Sequence, residues 1–201
     1  MIGVATRMSE TNQSVALNNM DFVGFLAMSD PAREGVPEAI DLCQKAGIRI
    51  IMITGDNKLT AHSVAEQIGL KHNDHLFSGE ELATLSKVEL KKVVKEYNIF
   101  TRVLPEQKLA IIEALQEQGE VVAMTGDGVN DSLALKKANI GVAMGKRGTE
   151  VARASAGIIL LDDNFATIVK AIREGRRIYD NLRHAFVFLF SFHIPIVGLA
   201  I

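Results

Sequence analysis

The chain has 201 residues, room for one or two ordinary domains with a sizeable core, since about 100–200 residues usually make one. Its 22 Lys and Arg against 24 Asp and Glu give a formal net charge of −2, which removes the bulk electrostatic case for a nucleic-acid binder. A hydrophobic fraction of 48%, 23% charged residues and only four prolines exclude a disordered or collagen-like chain, and the single Cys43 excludes an internal disulfide framework and a multi-cysteine metal site.

Met1 opens directly into the strand-like Ile2-Gly3-Val4-Ala5 with no signal-like or Arg-rich start. The polar Ser9-Glu10-Thr11-Asn12-Gln13-Ser14 that follows reads as a linker after the tail of a preceding element. Phe22 to Met28 is a mostly apolar run closed by a Ser29-Asp30-Pro31 turn. From there β-branched runs alternate with helical patterns, the mark of a parallel sheet. Val36, Ala39, Ile40, Cys43 and Ala46 recur at helical spacing and Gly47 stops that helix, with Cys43 as a buried, inert thiol. Ile48 to Ile53 reads as a strand buried on both faces, and a helix from Leu59 to Ile68 ends at Gly69.

The next stretch is more polar and covers an edge. Ser86-Lys87-Val88-Glu89 has capping-box spacing and starts a helix that runs to Tyr97. Ile99 to Val103 is a short strand, and Pro105 opens a helix to Gln118. Val121 to Met124, Ile140 to Ala143 and Ile158 to Leu161 are strands, separated by helices at Asp131 to Ala138 and Glu150 to Ala156. Five parallel strands with intervening helices predict an α/β fold with a doubly wound parallel sheet. Residues 165–201 form one long helical pattern, uncharged after Arg183.

Thr54-Gly55-Asp56-Asn57 and Thr125-Gly126-Asp127-Gly128 each follow a strand and precede a helix. Ligands of open α/β sheets lie at the carboxyl ends of the strands, so both turns should face one site. A hydroxyl and a close backbone N–H there can hold phosphate oxygens, which makes Thr54 and Gly55 candidates; a pair of ordinary βα turns is the plainer alternative. Asp127 and Asp131 offer hard oxygen ligands of the kind Mg²⁺ takes, though Asp131 standing alone reads better as a plain helix N-cap. Lys108, in the first turn after Pro105, is placed to neutralise phosphate, or is one more solvated lysine. Arg102 is a second cation near that strand end, or an edge-strand charge.

Asp30-Pro31-Ala32-Arg33, Ile51-Met52-Ile53-Thr54-Gly55-Asp56-Asn57, Pro105-Glu106-Gln107-Lys108, Met124-Thr125-Gly126-Asp127-Gly128-Val129-Asn130-Asp131 and Asp162-Asp163-Asn164-Phe165 resemble, in order, the signatures of P-type cation-transporting ATPases, closest to calcium and related type II pumps. The resemblance implies a haloacid-dehalogenase-like phosphorylation domain over 29–164, the end of the nucleotide domain and its return strand over 1–28, and a stalk and the start of a transmembrane helix over 165–201. It implies ATP as substrate and Mg²⁺ as cofactor, with a transported cation, membrane lipid and the actuator, nucleotide and transmembrane domains of a pump as partners, and no nucleic acid. By position, Thr54, Gly55 and Asp56 resemble the phosphate- and ATP-contacting turn, Lys108 the lysine that neutralises phosphoryl charge, and Arg102 an ATP-contacting arginine. Asp127 resembles the Mg²⁺ ligand, Asn130 a nucleotide or phosphate contact, and Asp131 a supporting carboxylate. Thr54, Lys108 and Asp127 are the implied catalytic set. Asp30 to Arg33 resembles the interdomain hinge, with Ala32 where many relatives have a second proline.

The chain departs from the family in one respect: no Asp-Lys-Thr-Gly-Thr occurs, so the aspartyl nucleophile is missing and the sequence reads as an excised piece of a pump. Ala185 to Ile201 carries no charge, and Phe186 to Ile201 is shorter than the ~20 residues that span a bilayer. Lys170, Arg173, Arg176, Arg177 and Arg183 outnumber Glu174 and Asp180, the basic border expected on the cytoplasmic side of a membrane helix. This predicts a long helix entering the membrane, with residues 1–184 cytoplasmic. In the resemblance, ion-ligand positions of the fifth transmembrane helix fall on His193 and Ile196; Ile196 cannot ligate, and His193 is open to proton-linked, ligand or interhelical roles. Two other readings stand beside a pump segment: a catalytically dead regulatory or binding module of the same fold, and a soluble phosphatase, which the missing nucleophile and apolar tail disfavour.

Overall fold

The computed structural model describes residues 2–6, 20–26 and 32–199, apart from the side chains of 195–197 and 199. Asp30, Pro31 and the linker segment lie outside the described residues. The chain divides into two compact units, Met1–Pro31 and Ala32–Ile201.

In the first unit β1 (Ile2–Thr6) and β2 (Asp21–Leu26) pair antiparallel, from Ile2 opposite Leu26 to Thr6 opposite Asp21. The described part of the apolar run that begins at Phe22 therefore pairs antiparallel with β1. Phe22 and Phe25 meet edge to face, with ring centroids 5.1 Å apart.

The second unit is built from parallel strands and helices. α1 (Val36–Lys45) starts with Pro37 in its first turn and ends before Gly47, whose φ of 72° is open to glycine at little cost. β3 (Met52–Ile53) is followed by α2 (Lys58–Gln67), capped by the Asn57 side chain, which accepts a hydrogen bond from Thr60 N–H. β4 (Phe77–Ser78) and α3 (Gly79–Ala83) come next, then α4 (Lys87–Glu96) with the expected Ser86–Glu89 capping box. β5 (Ile99–Thr101) leads to α5 (Pro105–Gln116). β6 (Ala123–Gly126) leads through a 3₁₀ turn at Val129–Asp131 into α6 (Ser132–Lys137), so the helix expected from Asp131 begins one tight turn later. β7 (Ile140–Met144), α7 (Glu150–Ser155), β8 (Ile158–Leu160) and the 35-residue α8 (Phe165–Leu199) complete the chain.

The strands form two three-stranded parallel ladders, ordered β3-β5-β4 and β6-β7-β8. This corrects the expectation of one five-stranded sheet. Among the described residues there are six parallel strands, and no ladder joins the two sets. The alternation of strand side chains shows why helices cover both faces. Ile50, Met52 and Ile99 pack with Ile40, Ala61 and Ala65 of α1 and α2, whereas Ile51, Ile53 and Phe100 pack with Val94, Ile111 and Leu115 of α4 and α5. Period-2 alternation into two apolar layers is the physical content of a doubly wound sheet. Cys43 is buried as expected, and burial pushes its thiol pKa up, the condition of an unreactive thiol.

α8 packs on α1 through its first half, where Arg176 also donates to the Ala46 carbonyl at 3.4 Å. From Ile178 to Ile194 its large apolar side chains are exposed all round, with Phe186–Phe190 and Phe188–Phe192 paired along the helix. Among the described residues no helix is long and apolar enough to cross a membrane. The helix is long enough, but charges occupy its first half, and Ala185 to Leu199 at ~1.5 Å per residue rises only about 22 Å, short of a bilayer core of about 30 Å.

Candidate functional site

The carboxyl ends of β3 and β6 open on one cleft of about 410 Å³, lined among others by Thr54, Gly55, Lys108, Asp127 and Asp131. The two Thr-Gly-Asp turns therefore face a common site. Asp56, Arg102 and Asn130 do not line this cleft and are exposed.

The first turn is held by its own hydrogen bonds. Thr54 Oγ1 accepts from the Asp56 N–H at 3.1 Å and donates to Asp56 Oδ2 at 3.1 Å. Beyond the end of β3 the backbone pairing with β5 continues, with Thr54 N–H donating to Phe100 O at 2.9 Å and Arg102 N–H to Asp56 O at 3.1 Å. Arg102, in the left-handed region at φ 50°, thus braces the turn through its backbone, and its side chain stays outside the cleft. That differs from an ordinary edge-strand charge.

The centre of the cleft is an ion pair. Lys108 Nζ lies 2.6 Å from Asp131 Oδ1, with side chains only 14% and 11% exposed. α5 carries the lysine inward from Pro105, and the 3₁₀ turn after β6 carries the carboxylate to meet it. Both plainer readings of these residues fail on this geometry. Lys108 is not a solvated lysine, and Asp131, although it precedes α6, makes no side-chain cap to that helix. Its second oxygen instead accepts weakly from Gly128 N–H at 3.4 Å. Gly126 lets this happen: a Cβ there would stand 2.6 Å from Asp131 Cβ.

Asp127 is placed differently. Its backbone carbonyl accepts from Thr149 N–H at 2.8 Å, which ties the loop to the start of α7. Its carboxylate is exposed on the cleft, and among the described residues no hydrogen bond or ion pair engages it. An open carboxylate beside a second one already neutralised by a lysine fits a hard cation that takes one or two carboxylates and keeps several waters. Asp127 offers the unengaged carboxylate, whereas that of Asp131 is held by Lys108.

Sequence reasoning placed Arg33 only in the hinge-like run from Asp30 and Asp163 only in the Asp162-Asp163-Asn164-Phe165 signature, and gave Arg147 no role; all three also line the cleft. Asp163 is buried, with φ 53°, and its carboxylate accepts from the N–H groups of Lys146 at 3.0 Å and Arg147 at 2.9 Å. Arg33 donates to the Asp163 carbonyl at 2.6 Å. Burial alone would push the Asp163 carboxyl up; the backbone N–H groups and the Arg33 guanidinium outweigh it and hold the carboxyl below the usual carboxylate range. The signal was present in the Asp162-Asp163 pair just past the last strand, where a carboxylate can close a loop over the sheet end.

His193, exposed on α8, places Nδ1 2.9 Å from the Leu189 carbonyl one turn back. The Ile196 side chain lies outside the described residues.

Comparison with known proteins agrees with this architecture. The haloacid dehalogenase-like hydrolase family matches residues 4–139. The chain is 47% identical over 174 residues to "Calcium-transporting ATPase 1" of Bacillus cereus, covering 86% of this chain and 20% of that one. It is 50% identical over 179 residues to "Cation-transporting ATPase pma1" of Synechocystis, covering 88% and 19%. With the "Sodium/potassium-transporting ATPase subunit alpha-3" of Gallus gallus it shares 40% over 207 residues, covering 90% and 20%. Among solved structures it resembles the catalytic domain of the CPx-ATPase CopB-B, with a TM-score of 0.54 and 25% identity over 76% of this chain and 48% of that chain. The chain spans about a fifth of the length of these curated relatives. It belongs to the haloacid dehalogenase-like hydrolases, in the segment they share with P-type cation-transporting ATPases.

Proposed function

We propose that this chain serves an ATP-driven cation pump as the part of its phosphorylation domain that binds and orients the phosphoryl group of an aspartyl-phosphate cycle. The observation that carries the reading is the convergence of Thr54, Gly55, Lys108, Asp127 and Asp131 on one cleft at the strand ends. In this reading residues 29–164 are the phosphorylation domain, 1–28 the end of the nucleotide domain with its return strand, and 165–201 a stalk that leads into the membrane. The remainder of the pump, a transported cation and membrane lipid are the partners, and residues 1–184 are cytoplasmic.

Each residue has a task that follows from its surroundings. Thr54 and the Gly55 N–H offer donors to phosphate oxygens at the end of β3. Lys108, fixed by Asp131, keeps a positive charge at a defined point where phosphoryl oxygens collect negative charge. Asp127 would hold Mg²⁺ by its open carboxylate, with Asp131 in support. The ion, when bound, supplies charge neutralisation at the transferring phosphoryl. Asp56, Arg102 and Asn130, exposed outside the cleft, are assigned to ATP contacts that reach beyond the phosphate. The chain carries no Asp-Lys-Thr-Gly-Thr, so by itself it binds and orients without covalent transfer.

The test has two parts. In a pump containing this segment, radiolabelled ATP should give acid-stable phosphoenzyme that Lys108→Met reduces by at least ~10²-fold, the scale of losing one fixed electrostatic stabiliser. The chain alone should give no label. Wild-type labelling from a pump carrying Lys108→Met overturns the assignment of Lys108, and nucleotide binding with no labelling of the intact protein makes the chain a binding module.

A further inference from the structure

A second group of potential ligands lies away from the cleft, on the second half of α2 and the loop after it. His62 and Glu66 stand four residues apart on α2, one turn of helix, and so share a face. Leu70 N–H donates to the Ala65 carbonyl as the chain turns back after Gly69, and this return brings His72 against them. One ligand atom from each of the three lies within 4.8 Å of the other two. His62 Nδ1 and His72 Nε2 are 3.0 Å apart, and their rings cross at 74°. None of the three lines the cleft described above.

We propose that His62, Glu66 and His72 form a site for a divalent transition-metal ion, with Zn²⁺ as the best match. Two imidazoles and one carboxylate with a fourth position open to water is an established zinc ligand set. Zn–N bonds of about 2.0–2.1 Å in a tetrahedron place ligand nitrogens roughly 3.3 Å apart, so the observed separation needs only a small opening. Without metal this contact is a hydrogen bond, His62 Nδ1–H to His72 Nε2; metal binding would replace it, with the His62 proton on Nε2 and both nitrogens turned to the ion.

His72 is prepared for the role by its surroundings. Its Nδ1 lies 2.9 Å from the Leu70 carbonyl, which can only accept, so Nδ1 carries the proton and Nε2 presents a lone pair toward His62. The loop that holds it is pinned twice by asparagine side chains: Asn73 donates to the Glu96 carbonyl at 3.0 Å and Asn98 to the Lys71 carbonyl at 2.8 Å. Among the described residues the Glu66 carboxylate has no hydrogen bond or ion pair, so it can turn to the metal at no cost in lost partners. Exposure of His62 and Glu66 leaves the open position accessible to water. Two imidazoles disfavour Mg²⁺, an oxygen-seeking ion. The site is therefore chemically distinct from that at Asp127.

Calorimetric titration of the full chain with Zn²⁺ should show one site per chain, with a rise in melting temperature as it fills, and Co²⁺ in its place should give the absorption of a tetrahedral nitrogen and oxygen environment. His62→Ala and His72→Ala should each abolish this site, Glu66→Gln should weaken it at least 10-fold, and His75→Ala and Asp127→Asn should leave it unchanged. Circular dichroism of each variant without metal checks that it is folded. Absence of Zn²⁺ binding at 100 µM (about −5.5 kcal/mol), or binding that survives the combined His62→Ala and His72→Ala changes, overturns the proposal.

Discussion

Asp127 and Asp131 sit four positions apart and face opposite electrostatic situations. Asp131 is buried against Lys108, whereas Asp127 presents an unengaged carboxylate to the cleft. Asp127→Asn should therefore cost more of the Mg²⁺-dependent phosphorylation of a pump carrying this segment than Asp131→Asn does. Asp131→Asn, which keeps an oxygen for Lys108, should leave the Mg²⁺ dependence closer to wild type and act on phosphoryl binding; equal shifts of the Mg²⁺ titration in both variants would contradict the ranking. Gly126→Ala should be worse than its size suggests. Its Cβ would stand 2.6 Å from Asp131 Cβ, and forcing that carboxylate off Lys108 should cost about 1–3 kcal/mol in denaturant unfolding, the range for overpacking. The residue types and their strand-end positions were legible in the sequence. The pairing of Lys108 with Asp131 was not, because they lie 23 positions apart, with the rest of α5 and the whole of β6 between them, and only the packed fold sets their distance.

At the scale of elements, spacing and capping chemistry were more legible than strand pairing. Gly47, Gly69 and Ser86 punctuate helices where expected. β4 and α3 went unread, although Ser78-Gly79-Glu80-Glu81 has the same capping-box spacing as Ser86 to Glu89, because a two-residue strand gives no periodic signal before it. Glu81 links this region to α2. Its carboxylate accepts from Ser78 N–H at 2.6 Å and pairs with Lys58 at 2.8 Å. Burial opposes its ionisation, but the hydrogen bonds to Lys58 and Ser78 and the charge of Lys58 prevail and hold its pKa down to about 2. A folded-state pKa below the ordinary 4.5 means that the ionised group stabilises the fold above about pH 4.5 and loses that contribution as pH falls through about 2. Glu81→Gln should lower the melting temperature at pH 7, and the gap to wild type should close between pH 4.5 and 2. A gap of constant size across that range would show that the charge is not what stabilises.

The molecule as a whole divides its apolar surface between two environments. In the parallel strands each apolar layer finds a helix, as in Ile99 toward α2 and Phe100 toward α4 and α5. That two-sided burial follows from unbroken β-branched runs and was legible. That the strands fall into two ladders was not, since it depends on where β3 and β6 end. α8 follows the opposite rule. Its first half packs on α1, and from Phe186 to Ile194 large apolar side chains are exposed on every side, Phe188 by 72% and Phe192 by 64%. Phe186, Val187, Phe188, Leu189 and Phe190 are five consecutive positions and occupy every direction around the axis, so no one-sided core can cover them. Lipid can, with Arg183 placed where the headgroups would lie. The uncharged part of α8 is shorter than a bilayer core, so within this chain it should insert only partway. The full chain should then co-sediment with lipid vesicles or require detergent, and truncation after Arg183 should yield a soluble chain whose Lys108–Asp131 cleft is unchanged. Double Phe188→Asp and Phe192→Asp substitution in the full chain should have the same effect as truncation. A full chain that stays monodisperse without detergent, with the helix after Arg183 protected from protease, would show that protein and not lipid covers this surface.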